Sequence, residues 1–221
     1  MTELFETVTD ARPDDIAWPP LAWPPATGLV LEGAAIRLFP VDPERDAAEL
    51  FAVLDHDAVW AHVPGRPATA AEYAVSLQAT IAAGRFAWAV QLVEPLGGLP
   101  VGALVGTTSY LDVAVSDSRL EIGWTSYTPA CWATAVNPEA KLPLLGYAFD
   151  TLGAGRVQLK TDARNSRSQR AIARLGASHE GTLRRYQRRA DGTIRDSVIF
   201  SIIAEEWPRV RDGLRERLAT P

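Results

Sequence analysis

The sequence predicts a mixed α/β fold, an α+β mixed sheet flanked by helices, and three observations predict it. A strand, a helix and a strand follow one another between residues 119 and 163, a spacing that makes a parallel pair with the helix as its crossover. Two apolar pairs, Phe86–Val93 with Val101–Tyr110 and His179–Arg189 with Thr193–Ile203, are each joined by a glycine-bearing turn and read as antiparallel hairpins. Two helical patterns, Pro43–Asp55 and Thr69–Ala83, precede the main sheet and are placed to shape a pocket.

Each element has a local cause. Residues 1–30 carry the repeat Ala-Trp-Pro-Pro at 17–20 and 22–25, and paired prolines favour an extended polyproline arm laid on a domain surface. The expected organisation is therefore this Pro/Trp-rich arm over 1–30 and a single domain over 31–221. Ala34–Phe39 alternates and stops at Pro40, which makes it the first strand. Asp42 caps the first helix, whose Leu50, Phe51 and Leu54 share a face. A loop with His56 and His62 leads to the second helix, capped by Thr69 with Glu72 three residues on and stopped by Gly84.

The stretch Leu120–Asp150 is the centre of the chain. It reads as a buried strand, a polar loop and a helix that starts with Asn137 as N-cap, Pro138 at the first position and Glu139 in the first turn. Such a helix start, aimed at by a strand end, suits an anionic ligand because its N–H groups lack partners. Pro143 predicts a kink in that helix rather than its end. Asn165 or Ser166 then caps a short helix to Leu175, with Gly176 as its stop, and Glu205–Leu218 closes the chain as an amphipathic helix carrying Trp207, Val210 and Leu214.

Composition narrows the functional classes. With 221 residues, 47% of them apolar and 22% charged, the chain can bury one sizeable core. No apolar run approaches the ~18 residues that span a bilayer, and the N-terminus is acidic, so a soluble cytoplasmic protein without a membrane partner is expected. The single cysteine, Cys131, excludes an internal disulfide, and histidines at 56, 62 and 179 show no liganding pattern, so no metal is expected. A net charge of −5 argues against nucleic acid as a partner, while the arginines between 156 and 195 form a local basic patch suited to a compact polyanion.

Several short motifs then fall in a telling order: Glu121-Ile122-Gly123-Trp124, the Trp132 loop ending in Glu139-Ala140, Asn165-x-x-Ser168, Arg174-Leu175-Gly176, Glu180-Gly181-x-Leu183-Arg184 and Asp191-Gly192…Arg195-Asp196. Together with the order of elements, they make residues 30–205 resemble the GNAT acyl-CoA-dependent N-acyltransferases, in particular the branch of the ribosomal-protein N-terminal acetyltransferases RimJ and RimL. The resemblance implies a central twisted sheet in which one strand splays from its parallel neighbour. It implies acetyl-CoA, or another acyl-CoA, as cosubstrate, and a small-molecule or peptide amine as acceptor; a homodimer is compatible with it.

The resemblance also assigns residues. The pantetheine chain is expected along Trp124, Thr125, Ser126 and Tyr127, and the pyrophosphate over Ala133, Thr134, Ala135, Val136 and Asn137. Asn165 and Ser168 match the pair that meets pantetheine and the thiol, with Arg170 and Arg174 as phosphate ligands. Glu121 is the candidate general base, or else a glutamate bonding a neighbouring element; Ser168 is the candidate proton relay, and Tyr186 the second candidate acid. The phosphate loop departs from the family pattern, reading Trp132-Ala-Thr-Ala135-Val-Asn137 without a glycine, and alanine is expected not to supply glycine's positive φ. Two further readings stay open: a degenerate domain binding coenzyme A as a regulatory module, and an RNA-associated protein using the arginine-rich hairpin.

Overall fold

The computed structural model describes residues 6–10 and 17–219. The ends of the expected arm and domain, 1–5, 11–16 and 220–221, lie outside the described residues. Eight strands form one sheet: β1 (Leu31–Glu32), β2 (Ile36–Pro40), β3 (Phe86–Leu92), β4 (Leu104–Ala114), β5 (Arg119–Tyr127), β6 (Arg156–Asp162), β7 (Ser178–Arg188) and β8 (Ile194–Ile203). Their order across the sheet is β1-β2-β3-β4-β5-β6-β8-β7. Every neighbouring pair is antiparallel except β5 with β6, the pair predicted to be parallel from its crossover helix.

Helices cover both faces. α1 (Pro43–Leu54) and α3 (Ala70–Ala82) pack Leu50, Leu54, Tyr73 and Leu77 with Ala87 and Ala89 of β3. α4 (Val136–Gly146) and α6 (Trp207–Ala219) place Leu144, Leu145, Trp207, Val210 and Leu214 in the core that takes Trp88 and Val90. Successive β3 side chains thus enter opposite cores, which is why this strand reads as continuously apolar. The remaining helices are the short α2 (Asp57–Trp60), inside the segment expected to be a loop, and α5 (Ser166–Ala173).

The caps follow the sequence closely at three helices. Asp42 accepts from the N–H groups of Glu44 and Arg45; Thr69 accepts from Glu72, whose own carboxylate accepts from Ala68 N; Asn165 Oδ1 accepts from Ser168 N at 3.0 Å. The start of α4 is a correction. The helix begins at Val136 rather than Pro138, and Thr134 Oγ1, not Asn137, accepts the Val136 N–H at 3.3 Å. The helix continues through Pro143, then widens into a π turn at Tyr147–Thr151.

The proline-rich segment packs against the domain. The Trp18 indole donates to the Gly153 carbonyl at 3.0 Å, Leu21 N and Ala22 N bond Val115 O and Leu152 O, and Trp23 sets its ring edge-on to Phe86 and Tyr110.

Candidate active site

β5 and β6 share only three residue pairs, ending at Glu121 opposite Gln158. Beyond that point β5 follows β4 as far as Tyr127, while β6 follows β8 as far as Asp162. The sheet therefore forks, and the unpaired edge of β5 over Thr125–Tyr127 faces a cleft of about 530 Å³. A bulge opens the fork: Thr107 pairs with Ser126 and Ser109 with Gly123, so Trp124 and Thr125 together face Thr108. Trp124 takes a φ of 48° there, and such a bulge leaves backbone groups free to turn out of the ladder. Gly106 lies so close to the Ser126 carbonyl that any side chain would collide with it.

Glu121 sits at the crotch of the fork, 2% exposed. Its carboxylate lies 2.8 Å from Lys160 Nζ and accepts from Gln158 Nε2 at 3.2 Å; Lys160 also reaches Asp112 at 3.2 Å. Burial pushes the Glu121 carboxyl above the ordinary glutamate range, Lys160 and Gln158 pull it back, and Asp112 adds to the rise. Gly123 is shaped by this carboxylate, since a Cβ there would stand 2.7 Å from Glu121 Oε1.

The loop between β5 and α4 is held by its own side chains. The Trp132 indole donates to Tyr127 O at 2.9 Å, and the Thr134 hydroxyl to Cys131 O at 2.7 Å. Ala133, a spacer position of the loop pattern, adopts a φ of 61°. These flanking bonds hold it in a region that costs an L-residue about 1–2 kcal/mol. Ala135, at the place of the missing glycine, has an ordinary helical φ of −69°; glycine's freedom is not needed there. Arg167 of α5 stacks on the Trp132 ring at 3.5 Å to its centroid, bridging the two sides of the fork.

One group on this wall was not anticipated. Lys141, 3% exposed, donates from Nζ to Thr108 Oγ1 at 2.9 Å and Thr125 Oγ1 at 2.8 Å, and those two hydroxyls lie 2.8 Å apart. The three close a polar triangle over the bulge. Burial lowers the Lys141 ammonium to about 7. The signal was present in the spacing, because Lys141 follows Asn137 by four and shares its helix face. Lys160 and Arg167 were likewise not named as site residues, and Gly123 entered only as part of the Glu121–Trp124 motif.

Of the residues named from the sequence, Glu121, Trp124, Thr125, Ser126, Tyr127, Ala133, Thr134, Asn137, Asn165, Ser168 and Arg174 line the cleft. Ala135, Val136, Arg170 and Tyr186 do not. Val136 is buried in the core. On α5 the residues facing the cleft are 167, 168, 171, 172, 174 and 175, a helical stripe that leaves Arg170 well around the axis. The register of β7 breaks between Leu183 and Gln187, with Arg185 at φ 52°. Gln187 therefore lines the cleft, while Tyr186 lies outside it, half exposed, its ring 5.7 Å from Lys160 Nζ.

The site is thus a forked mixed sheet with a helix start at its mouth, an extended free strand edge and arginines on the opposite wall, a cleft suited to an extended anionic ligand. Residues 36–178 match the acetyltransferase (GNAT) domain family, and the chain belongs to it. YoaA of Bacillus subtilis (strain 168), named as an N-acetyltransferase, is 27% identical over 167 residues, 72% of this chain and 89% of that one. A solved structure from T. thermophilus, titled as an acetyltransferase, is 34% identical with a TM-score of 0.75, over 87% of this chain and 98% of that one. Mycobacterium smegmatis RimJ in complex with CoA-disulfide shares the fold at 19% identity and a TM-score of 0.71, over 86% of this chain and 95% of that one. The chain is thus an N-acetyltransferase of the GNAT family, a family that draws its acyl group from acetyl-CoA. Among the described residues, no helix is long and apolar enough to cross a membrane.

Proposed function

We propose that the chain moves an acetyl or other short acyl group to a compact cationic amine, by direct attack of the amine within a ternary complex. The observation that carries this reading is the fork itself, with a buried carboxylate at its crotch and a free strand edge beside it. When bound, acyl-CoA supplies an activated thioester carbonyl. The chain's own residues do the rest. The Thr125–Tyr127 edge accepts the extended carrier as an added strand, and Arg167 and Arg174 on the cleft wall neutralise its phosphates in place of the donors that Pro138 cannot supply. The Trp124–Thr125 bulge turns a backbone N–H toward the oxygen that gains charge as the amine attacks. Glu121 takes the amine's proton, directly or through water, and the Ser168 hydroxyl passes one to the leaving sulfur.

A net charge of −5 over the chain suits an amine that arrives as a cation. A protein α-amine, as for the RimJ-like proteins whose fold is shared, is the second reading. Calorimetric titration with acetyl-CoA and free coenzyme A, followed by thiol release over a panel of polyamines, aminoglycosides and N-terminal peptides, tests both. Micromolar binding with turnover of a small polycation is expected. Turnover of peptides alone would assign the protein α-amine, and binding without any turnover would leave a coenzyme-binding regulatory domain.

A further inference from the structure

The chain contains two lysines among its 22 basic residues, at 141 and 160, and both line the acyl-transfer cleft. Their surroundings differ. Lys160 lies between two carboxylates, at 2.8 Å from Glu121 and 3.2 Å from Asp112. Burial alone would lower its ammonium, but the hydrogen bonds to these carboxylates raise it, so it stays protonated and has no lone pair to offer. Among the described residues, Lys141 Nζ bonds the hydroxyls of Thr108 and Thr125. A neutral amine keeps two N–H groups, one for each hydroxyl oxygen, so the triangle survives loss of the proton with the nitrogen lone pair free.

The position matters as much as the charge. Thr125 belongs both to the bulge and to the free β5 edge along which the carrier's chain is placed. Lys141 Nζ is 2.8 Å from its hydroxyl, so it stands beside the path of the thioester, on an enzyme whose chemistry is attack by neutral amines. An amine that titrates at about 7 is neutral in half of the molecules at that pH.

We propose that Lys141 is itself an acyl acceptor, a self-modification site that loads when acyl-CoA is bound and no amine substrate occupies the cleft. The neutral Nζ attacks the thioester carbonyl; the C–N bond forms, the C–S bond breaks, and the proton lost by nitrogen ends on the departing sulfur, giving an amide and free coenzyme A. The amide retains one N–H for a threonine hydroxyl, carries no charge and projects its acyl group into the cleft. Modification therefore narrows the carrier's path and acts as a brake, one event per chain.

This inference rests on the proposed placement of acyl-CoA along β5, and the test separates the two. The purified protein is incubated with acetyl-CoA without amine, its intact mass is followed, and the modified residue is mapped by peptide fragmentation; acetyl-CoA binding is measured in parallel by calorimetry. A single acetyl increment at Lys141 is expected, at least about tenfold faster than at Lys160 because each unit of pKa is tenfold in neutral amine. Lys141→Arg should bind acetyl-CoA and stay unmodified. Binding with an unmodified Lys141 peptide, or with modification spread equally over Lys160 and the α-amine, overturns the self-modification while leaving the cosubstrate placement intact. Absence of binding overturns both. The readout on the wild-type chain needs no variant to fold.

Discussion

Glu121 and Lys141, both on the cleft wall, sit in environments that act in opposite senses. Glu121 is a buried carboxylate raised by its surroundings and restrained by Lys160. Its base form exists only above that raised value, so the wild-type rate should fall as pH drops through it. Glu121→Gln should lower kcat about 10²-fold and flatten this acid limb, with acetyl-CoA affinity unchanged; a pH–rate profile that keeps its limb places the base elsewhere. Gly123→Ala tests the same carboxylate from the backbone. Its Cβ would push Glu121 Oε1 from 2.7 Å, and a kcat loss without a change in the acetyl-CoA Kd is the expected outcome of steady-state kinetics on the variant.

Lys141 gives a prediction on stability with the opposite sense. Its folded value, about 7, lies below that of an exposed lysine, so folding favours the neutral form. Its contribution is present above the unfolded value, is lost as pH falls toward 7, and changes little below that. Relative to Lys141→Met, the wild type should lose up to about 1.4 kcal/mol per pH unit between roughly pH 10 and 7. Denaturation midpoints of the two proteins measured across this range check it; parallel curves would mean that the ammonium is solvated.

At the scale of elements, α4 bears most on the proposed site, because it carries Lys141 and the helix start where the phosphates are proposed to rest. Pro143 has no N–H for the carbonyl of Glu139, and the following π turn shifts the hydrogen-bond ladder. The buried Tyr110 hydroxyl, on β4, donates to the Leu144 carbonyl at 2.6 Å and so ties this irregular turn to the sheet. Tyr110→Phe should cost about 1–3 kcal/mol by leaving that carbonyl unpaired, measured by urea unfolding, with kcat per folded molecule preserved. The loop before α4 tells a related story: its side-chain bonds to Tyr127 O and Cys131 O hold Ala133 at a positive φ. The missing glycine at Ala135 costs nothing in conformation, because that residue is helical.

Across the whole molecule, the sheet joins two cores and leaves one fork between them. A ligand that bridges β5, α4 and α5 crosses this fork and should stabilise the fold as a unit. At a hundred times its Kd, acetyl-CoA should contribute about 2.7 kcal/mol, which for a chain of this size raises Tm by roughly 5–10 °C. Differential scanning calorimetry with acetyl-CoA reads this directly, and an unchanged Tm would argue that the fork is not the binding site. The arginines between 156 and 195 divide at this scale as well. Arg167, Arg174 and Arg195 line the cleft, whereas Arg156 is paired with Glu180 and Arg189 with Asp162.

The sequence by itself determined the main run of strands and helices without β1 and α2, the caps at Asp42 and Thr69, the α5 cap to within Asn165 or Ser166, the parallel pair and Glu121 as the carboxylate on the central strand. These follow from periodicity, capping chemistry and turn residues, which act over a few positions along the chain. The resemblance implied a splayed strand, but only the tertiary structure decided where β5 leaves β6, after Glu121, and showed the bulge at Trp124–Thr125 and Gly106 pressing against Ser126. It also decided which cations matter. Arg167 rather than Arg170 faces the cleft, Lys160 meets Glu121 across two strands, and Lys141 meets hydroxyls 16 and 33 residues away in the chain. A buried charge takes its properties from what folding brings beside it, and that neighbour is not written in its local sequence.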